Sequence, residues 1–224
     1  MRIMRYENVS IATFRDRPNR FVAHVEREGT LETVHVKNTG RCRELLLPGA
    51  QVYLAAAMQP YRKTQYDLIA VRKQDGRIVN IDSQAPNRAA REWLKAQDYS
   101  KIVPEYRFGC SRIDFYMERG DNRYLMEVKG CTLEVDGVGY FPDAPTLRGI
   151  KHLAALSRAV QEGFCAVLSY VIQVDGVIEV RPNLFTHPEY GTALDSARSA
   201  GVQVLFLPCH VEADSLTVVD SIWA

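Results

Sequence analysis

The stretch that most limits the fold is a continuous apolar run, F-C-A-V-L-S-Y-V-I, at residues 164–172. A strand with one face in water alternates apolar and polar residues, so this run predicts a strand covered on both faces. A second run, V-Q-V-L-F-L at residues 202–207, follows a segment with helical spacing. Strands and helices that alternate in this way predict a mixed α/β layer.

The order of elements around these strands supports that fold class. A long helix is predicted to begin at Asp143, a suitable cap, and to end at Gly163, and a second helix ends at Gly201. Another helix, N-R-A-A-R-E-W-L-K-A-Q, precedes three extended segments. From residue 84 onward the chain therefore predicts helix, about three strands, helix, strand, helix, strand.

The first part of the chain has a different pattern, in which short alternating strands are separated by turn signals. F-V-A-H-V-E, L-E-T-V-H-V and V-Y-L-A-A-A are such strands, and Q-D-G predicts a hairpin. The helical signal here is R-C-R-E-L-L-L at residues 41–47. About five strands and one short helix predict an OB-like β-barrel. We therefore expect two domains, residues 1–83 and 84–224.

Composition and cysteine spacing exclude several classes of protein. No apolar run approaches the roughly 20 residues of a membrane span, and the N-terminus lacks a signal-peptide core. We expect a cytoplasmic protein without a membrane partner. The five cysteines are widely spaced without C-x-x-C, which predicts reduced thiols and no zinc site. A net charge of +1 neither requires nor excludes a nucleic-acid partner.

Charged residues inside two of the predicted strands form the candidate site. In Y-L-M-E-V-K-G, Glu127 and Lys129 point to the same side of the strand. Asp114 lies thirteen positions before Glu127, on the strand face that also carries Arg112 and Tyr116. Alternation places the apolar residues of that strand on the opposite face: Ile113, Phe115 and Met117.

An antiparallel pair of these strands would bring Asp114 close to Glu127, and two adjacent carboxylates repel unless a cation lies between them. Mg²⁺ or Mn²⁺ accepts such oxygen ligands, so we assign Asp114 and Glu127 as metal ligands. Lys129 would then orient water or neutralise a phosphate, as phosphodiester hydrolysis requires. An ordinary salt bridge on a half-exposed sheet is the alternative.

At these residues the sequence resembles the sugar fermentation stimulation protein A (SfsA) family. The motifs are S-R-I-D-F, E-V-K-G-C-T-L and F-P-D-A-P-T-L-R-G-I-K-H-L, with N-T-G-R and L-L-L-P-G-A-Q-V in the first part. The resemblance implies an N-terminal OB-like domain, a C-terminal domain similar to the PD-(D/E)xK nucleases, and DNA binding. Asp114 matches that superfamily's Asp, and Glu127 and Lys129 match its (D/E)xK pair. Asp143 lies downstream of Glu127 and does not match.

The same resemblance suggests a third catalytic carboxylate before the Asp114 strand. Glu105 is our candidate, and Glu92 on the preceding helix competes with it. Either residue is also compatible with a plain surface charge.

Basic and polar residues near the predicted site are candidate contacts to nucleic acid. Arg148 and Lys151 share a helix face with His152, near a helix N-terminus that favours anions, although a solvated face fits equally. We expect His152 to make structural hydrogen bonds. The residues predicted to bind nucleic acid are Lys37, Asn38, Arg41, Arg112, Arg148 and Lys151.

The sequence thus predicts a DNA-binding protein with a Mg²⁺- or Mn²⁺-dependent nuclease site. The alternative is a non-enzymatic DNA-binding regulator of sugar (maltose) fermentation genes, which the family's name invites. Single-stranded DNA, double-stranded DNA and RNA stay open as substrates, and a homodimer stays open as the assembly.

Overall fold

The structure, a computed structural model, describes residues 3–38, 40, 42–57, 59 and 61–224. It confirms the predicted fold class, an N-terminal OB barrel followed by a mixed sheet with three helices. The helices are α1 (Ala85–Leu94), α2 (Leu147–Gln161) and α3 (Pro188–Ser199). None of the helices in this part of the chain is long and apolar enough to cross a membrane.

Strands make up most of the remaining ordered chain. In chain order they are β1 (Met4–Arg5), β2 (Val9–Asn19), β3 (Val22–Arg27), β4 (Thr30–Val36), β5 (Gln51–Ala56), β6 (Tyr66–Arg72), β7 (Ile78–Asn80), β8 (Lys101–Phe108), β9 (Ser111–Arg119), β10 (Asn122–Cys131), β11 (Leu133–Val135), β12 (Val138–Phe141), β13 (Cys165–Ile172), β14 (Val180–Pro182), β15 (Gln203–Val211), β16 (Ser215–Val218) and β17 (Ile222–Trp223).

The barrel is a sheet in the order β4-β3-β2-β5-β6-β7, closed by a parallel pairing of β4 with β6. The longest of its strands, β2, was not among the strands that the sequence predicted. Its inward-facing residues alternate only at Ala12 and Phe14, and beyond them the strand is mostly exposed. The apolar signal is therefore too short to be recognised.

The second sheet has the order β1-β16-β15-β13-β10-β9-β8, and β17 pairs with β15. Its central strands β10, β13 and β15 are parallel. Helix α1 packs with the apolar cluster on one face, which includes Phe115 and Met126. Helices α2 and α3 pack on the other face, where Leu125 and Leu168 are buried. Both predicted apolar runs are thus covered on two faces, as expected.

Two local predictions about helices were wrong. Residues 42–46 form a single turn, in which the Leu46 amide donates to the Cys42 carbonyl at 2.9 Å, rather than a helix. Helix α2 is capped by Thr146, whose hydroxyl accepts from the Gly149 amide at 3.0 Å, and not by Asp143. A threonine hydroxyl caps a helix as well as a carboxylate does, so residue type alone did not exclude Asp143 as the cap.

The expected alternation of β9 breaks at Asp114. Phe115 and Met117 pack on the α1 side of the sheet, but Ile113 packs on the α2 side. The cause is local, because the Asp114 carboxylate accepts the Val128 amide at 2.8 Å in place of a main-chain carbonyl. The regular pairing of β9 with β10 accordingly ends one residue earlier, at Phe115 opposite Met126.

The two domains are joined by buried polar contacts as well as by the chain. Gln173, at the end of β13, donates from its amide to the carbonyl oxygens of Asn80 at 3.0 Å and Asp82 at 3.2 Å. Lys37 in the barrel approaches the Asp82 carboxylate at 3.6 Å, and Asp82 is completely buried. These contacts fix the barrel beside the carboxyl ends of β10 and β13.

Candidate active site

The predicted (D/E)xK pair lies on β10 and points toward helix α2. Glu127 is 2% exposed, and the Lys129 ammonium donates to its Oε1 at 2.6 Å. The two side chains share one face of the strand, as the alternation predicts. A buried carboxylate is costly unless it is paired, and Lys129 supplies part of that pairing.

His152 supplies the rest. Its Nδ1 hydrogen-bonds to Oε1 of Glu127 and lies 3.3 Å from Nζ of Lys129. Its Nε2 accepts from Nε of Arg148 at 3.4 Å. A neutral imidazole has one donor and one acceptor nitrogen, so an accepting Nε2 leaves the proton on Nδ1, directed at Glu127. The expectation of a structural hydrogen-bonding histidine placed this residue correctly on α2 but did not identify its partner.

Asp114 stands beside this group at the point where β9 leaves β10. Its Oδ1 accepts from Nδ2 of Asn87 at 2.7 Å, and its Oδ2 accepts from the Val128 amide. Burial and the charge of Glu127 raise the pKa of Asp114 to about 6. No sequence pattern predicted a role for Asn87, because an asparagine near the start of a helix carries no signal for so distant a partner.

The two carboxyl groups are shifted in opposite directions. Burial alone would raise the pKa of Glu127, but its hydrogen bond to His152 and the charge of Lys129 outweigh burial and lower that pKa overall. Asp114 has hydrogen-bond donors around it but no cation among the described residues in hydrogen-bond contact, so burial dominates its pKa. The site therefore neutralises one carboxylate and leaves the other short of positive charge.

A hard divalent cation fits this donor set. Oε2 of Glu127 is buried and has no hydrogen-bond partner among the described residues. Buried carboxylate oxygens in proteins normally have a partner. A cation shared with Asp114 would be a suitable partner for Oε2 of Glu127. No cluster of three or more His, Cys, Asp or Glu side chains in the described ranges is arranged to hold a metal. Two carboxylates completed by water suit Mg²⁺ or Mn²⁺ and do not suit zinc.

The two candidate third carboxylates lie in different surroundings. In the pairing of β8 with β9, Pro104 lies opposite Phe115 and Tyr106 lies opposite Ile113. Glu105 and Asp114 lie between these two pairs, one on each strand. Glu105 has a positive φ of 55°, and its carboxylate pairs with Arg112 at 3.1 Å near the surface. Competing Glu92 pairs with Lys95 at 2.6 Å. A catalytic role for Glu105 stays a prediction.

The predicted nucleic-acid contacts in the barrel are engaged within the protein. Lys37 pairs with Asp67 at 3.1 Å, in addition to its contact with the domain junction. Asn38 donates to the Ile81 carbonyl at 2.8 Å and accepts from the Gly40 amide at 2.7 Å. Arg41 lies outside the described residues. Roles for Lys37, Asn38 and Arg41 toward nucleic acid stay predictions.

The predicted contacts on helix α2 are open to solvent. Arg148 and Lys151 are both exposed, and Arg148 links this surface to the buried His152. The first turn of α2 contains no acidic residue. An anion that approached this end of the helix would meet two cations.

Comparisons with known proteins match one family across nearly the whole chain. A family model described as "SfsA N-terminal OB domain" matches residues 16–81, and one described as "Sugar fermentation stimulation protein RE domain" matches residues 84–215. A sugar fermentation stimulation protein homolog of Desulfitobacterium hafniense is 49% identical over 97% of this chain and 96% of its own length. The Clostridium beijerinckii homolog is 44% identical, with 97% of each chain covered.

A solved structure is also similar to this chain. It is described as the structure of Pyrococcus furiosus SfsA in complex with Ca²⁺. The two chains are 26% identical, the TM-score is 0.88, and the match covers 99% of this chain and 98% of that one.

Proposed function

The chain belongs to the sugar fermentation stimulation protein (SfsA) family, and from that premise and the geometry of the candidate site we propose that it is a metal-dependent nuclease. The observation that carries the proposal is the orphaned Oε2 of Glu127, buried beside Asp114. A relative that is described as binding Ca²⁺ supports a divalent cation in this fold. The substrate would be DNA, with RNA as an open alternative.

In this proposal Asp114 and Glu127 would hold Mg²⁺ or Mn²⁺ as ligands. The bound ion would supply a Lewis acid for phosphodiester hydrolysis. Lys129 would hold a phosphate oxygen or the attacking water, because its ammonium already lies against Oε1 of Glu127. Asn87 and the Val128 amide would fix the orientation of the Asp114 carboxylate. His152 would do the same for Glu127.

The compartment and the assembly are part of the proposal. All five cysteines are unpaired, which suits the reducing cytoplasm. A homodimer stays a prediction. Measuring the molar mass of the protein in solution tests it directly.

The decisive experiment compares the wild type with E127Q. We expect E127Q to lose calorimetric binding of Mg²⁺ or Mn²⁺ and cleavage of labelled single- and double-stranded DNA by at least about a hundredfold. The matched control is E118Q on the neighbouring strand, where Glu118 pairs with Lys101 at 3.0 Å near the surface. E118Q should bind metal and cleave like the wild type. Full cleavage by a folded E127Q would refute the proposed site.

A binding protein without catalysis is the second candidate, and one observation favours it. Lys129 and His152 already satisfy Oε1 of Glu127, so part of the carboxylate charge is neutralised without any metal. In that case the wild type would bind DNA and show neither metal binding at this site nor cleavage. The same calorimetric titration, combined with a DNA-binding assay in EDTA, separates the two functions.

A further inference from the structure

The turn between β14 and α3 presents an aromatic ring that nothing in the described part of the chain covers. Phe185 is fully exposed at its tip. The turn itself is well braced, because the Asn183 carbonyl accepts from the amides of Thr186 at 3.2 Å and His187 at 2.9 Å. The Asn183 amide donates to the Phe141 carbonyl at 2.8 Å, which ties the turn to β12. The backbone that carries the ring is therefore braced, while the ring itself extends into solvent.

This turn lies at the rim of the candidate active site. Nδ1 of the buried His187 accepts the amide of Thr146, the cap of α2, at 3.2 Å. From Thr146 to His152, the residue that contacts Glu127, the helix rises about 9 Å. The turn that carries Phe185 therefore lies beside the first turns of α2, the end of the helix from which His152 contacts Glu127.

Apolar and basic side chains are both exposed on this turn and on the first turns of α2. Leu147 and Leu184 are more than half exposed near Phe185, and Arg148 and Lys151 are exposed on the adjoining turns of α2. Single exposed apolar residues need no explanation, but a grouped set beside cations marks a contact surface. Rings that stack on bases and cations that meet phosphates are the combination by which proteins hold single strands.

We propose that Phe185 is a stacking platform for an unpaired nucleobase, on a strand whose phosphates lie at Arg148 and Lys151. The inference rests on the proposed function and names its substrate class: single-stranded nucleic acid, or the frayed end of a duplex. A base inside a duplex has both faces stacked and cannot reach the ring unless it is first extruded. The exposed rim thus selects strands whose bases are free.

The test measures binding in EDTA, where no metal-dependent cleavage interferes. The probes are a fluorescein-labelled oligothymidylate and a strand of the same length built from abasic sites. F185A should bind the oligothymidylate about tenfold more weakly than the wild type does, and should bind the abasic strand equally well. F185W should retain wild-type affinity, because a larger ring still stacks. The matched control is L31A, which removes another exposed apolar side chain, on β4.

The outcomes separate this inference from the function on which it rests. Equal affinity of F185A and the wild type for oligothymidylate would overturn the platform and leave the nuclease proposal intact. An equal loss on both strands would also overturn it, because the effect would not depend on a base. A wild type that binds neither strand, in EDTA or with Ca²⁺, would overturn the proposed function and this inference together.

Discussion

At the scale of single residues, the site depends on how one buried carboxylate is shared. Glu127 directs one oxygen to Lys129 and His152 and leaves the other without a partner among the described residues. This division requires the imidazole to stay in place, and Arg148 holds its far nitrogen. The histidine is therefore a positioning residue: it touches Glu127, and Glu127 would touch the metal.

Replacing His152 by alanine should weaken metal binding without unfolding the protein. Oε1 of Glu127 would keep Lys129 but lose the group that fixes its orientation. We expect a 10- to 100-fold weaker affinity for Mn²⁺ and a similar loss of cleavage, the usual effect of removing a partner of a metal ligand. Calorimetric titration measures the affinity, and circular dichroism confirms the fold.

The control for this prediction is H210A. His210 is a surface histidine that pairs with Asp175 at 3.1 Å, at the end of β15. It should leave metal affinity unchanged. If H152A bound Mn²⁺ as tightly as H210A does, the imidazole would have no positioning role.

The residues of the site were only partly predictable from sequence. Strand alternation was enough to pair Glu127 with Lys129, because both lie on one regular strand. It could not predict the contact of Glu127 with His152, or that of Asp114 with Asn87, because each joins separate elements whose packing no local pattern specifies. The break of alternation at Asp114 arises from a side chain that replaces a main-chain acceptor, and such a replacement leaves no periodic signal.

At the scale of elements, β10 can approach its neighbours closely only because the residue after Lys129 is a glycine, Gly130. A Cβ at this position would overlap Oε1 of Gln173 and lie 2.7 Å from Cγ of Pro86 in α1. Neither neighbour moves easily, since Gln173 is buried and hydrogen-bonded and Pro86 lies in a helix. Gly130 thus allows β10 to pack closely against both Pro86 of α1 and Gln173 at the domain junction.

The substitution G130A should therefore destabilise the protein by about 1 to 3 kcal/mol, the usual effect of overpacking. Urea unfolding measures the change in the free energy of unfolding. Combining G130A with Q173A removes one of the clashing groups, so the double variant should lose less stability than the sum of the two single variants. Strict additivity would show that Gln173 does not limit the space at Gly130.

Elements with long apolar patterns were predicted well, and those that depend on tertiary contacts were not. The helices and buried strands of the second domain follow from their own periodicity. A helix was wrongly predicted at residues 41–47 because the segment is rich in residues of high helix propensity. Residues 42–46 instead form one turn, and Leu45 and Leu46 pack into the barrel. Tertiary burial outweighed local propensity there.

At the scale of the whole molecule, the domain junction is connected to a group of charged side chains in the barrel that surrounds the buried Asp67. Asp67 is 5% exposed and pairs with Lys37, with Arg62 at 2.6 Å and with His35 at 3.1 Å. Burial opposes its ionisation, but these hydrogen bonds outweigh burial and lower the pKa of Asp67 below its ordinary 3.8. Because Lys37 also approaches Asp82, the barrel and the domain junction share one network.

This network predicts how stability depends on pH. A carboxyl whose pKa is lowered by folding contributes stability above its unfolded pKa and loses it as the pH falls through the folded value. D67N should therefore cost about 2 to 3 kcal/mol at pH 7, and the difference from the wild type should shrink below about pH 4. Urea unfolding at a series of pH values measures both.

The comparison variant is D16N, because Asp16 lies largely in solvent and pairs with His24 at 2.9 Å. It should change the free energy of unfolding by less than about 0.5 kcal/mol. A D67N variant that differed from the wild type by the same amount at pH 7 and pH 3 would disprove the linkage.

The first described strand has a consequence for how the two parts of this protein can be separated. Strand β1 pairs with β16, so Met4 lies opposite Leu216 at the far edge of the second sheet, ahead of the whole barrel. The barrel is in effect an insertion into the other unit, and the polypeptide crosses between them twice. Two crossings resist the rotation that a single linker allows, so the barrel is restrained relative to the second sheet. A fragment that begins at residue 84 would lack β1, the edge strand of the second sheet. To keep that sheet intact, the fragment would have to carry residues 3–6 on a new linker.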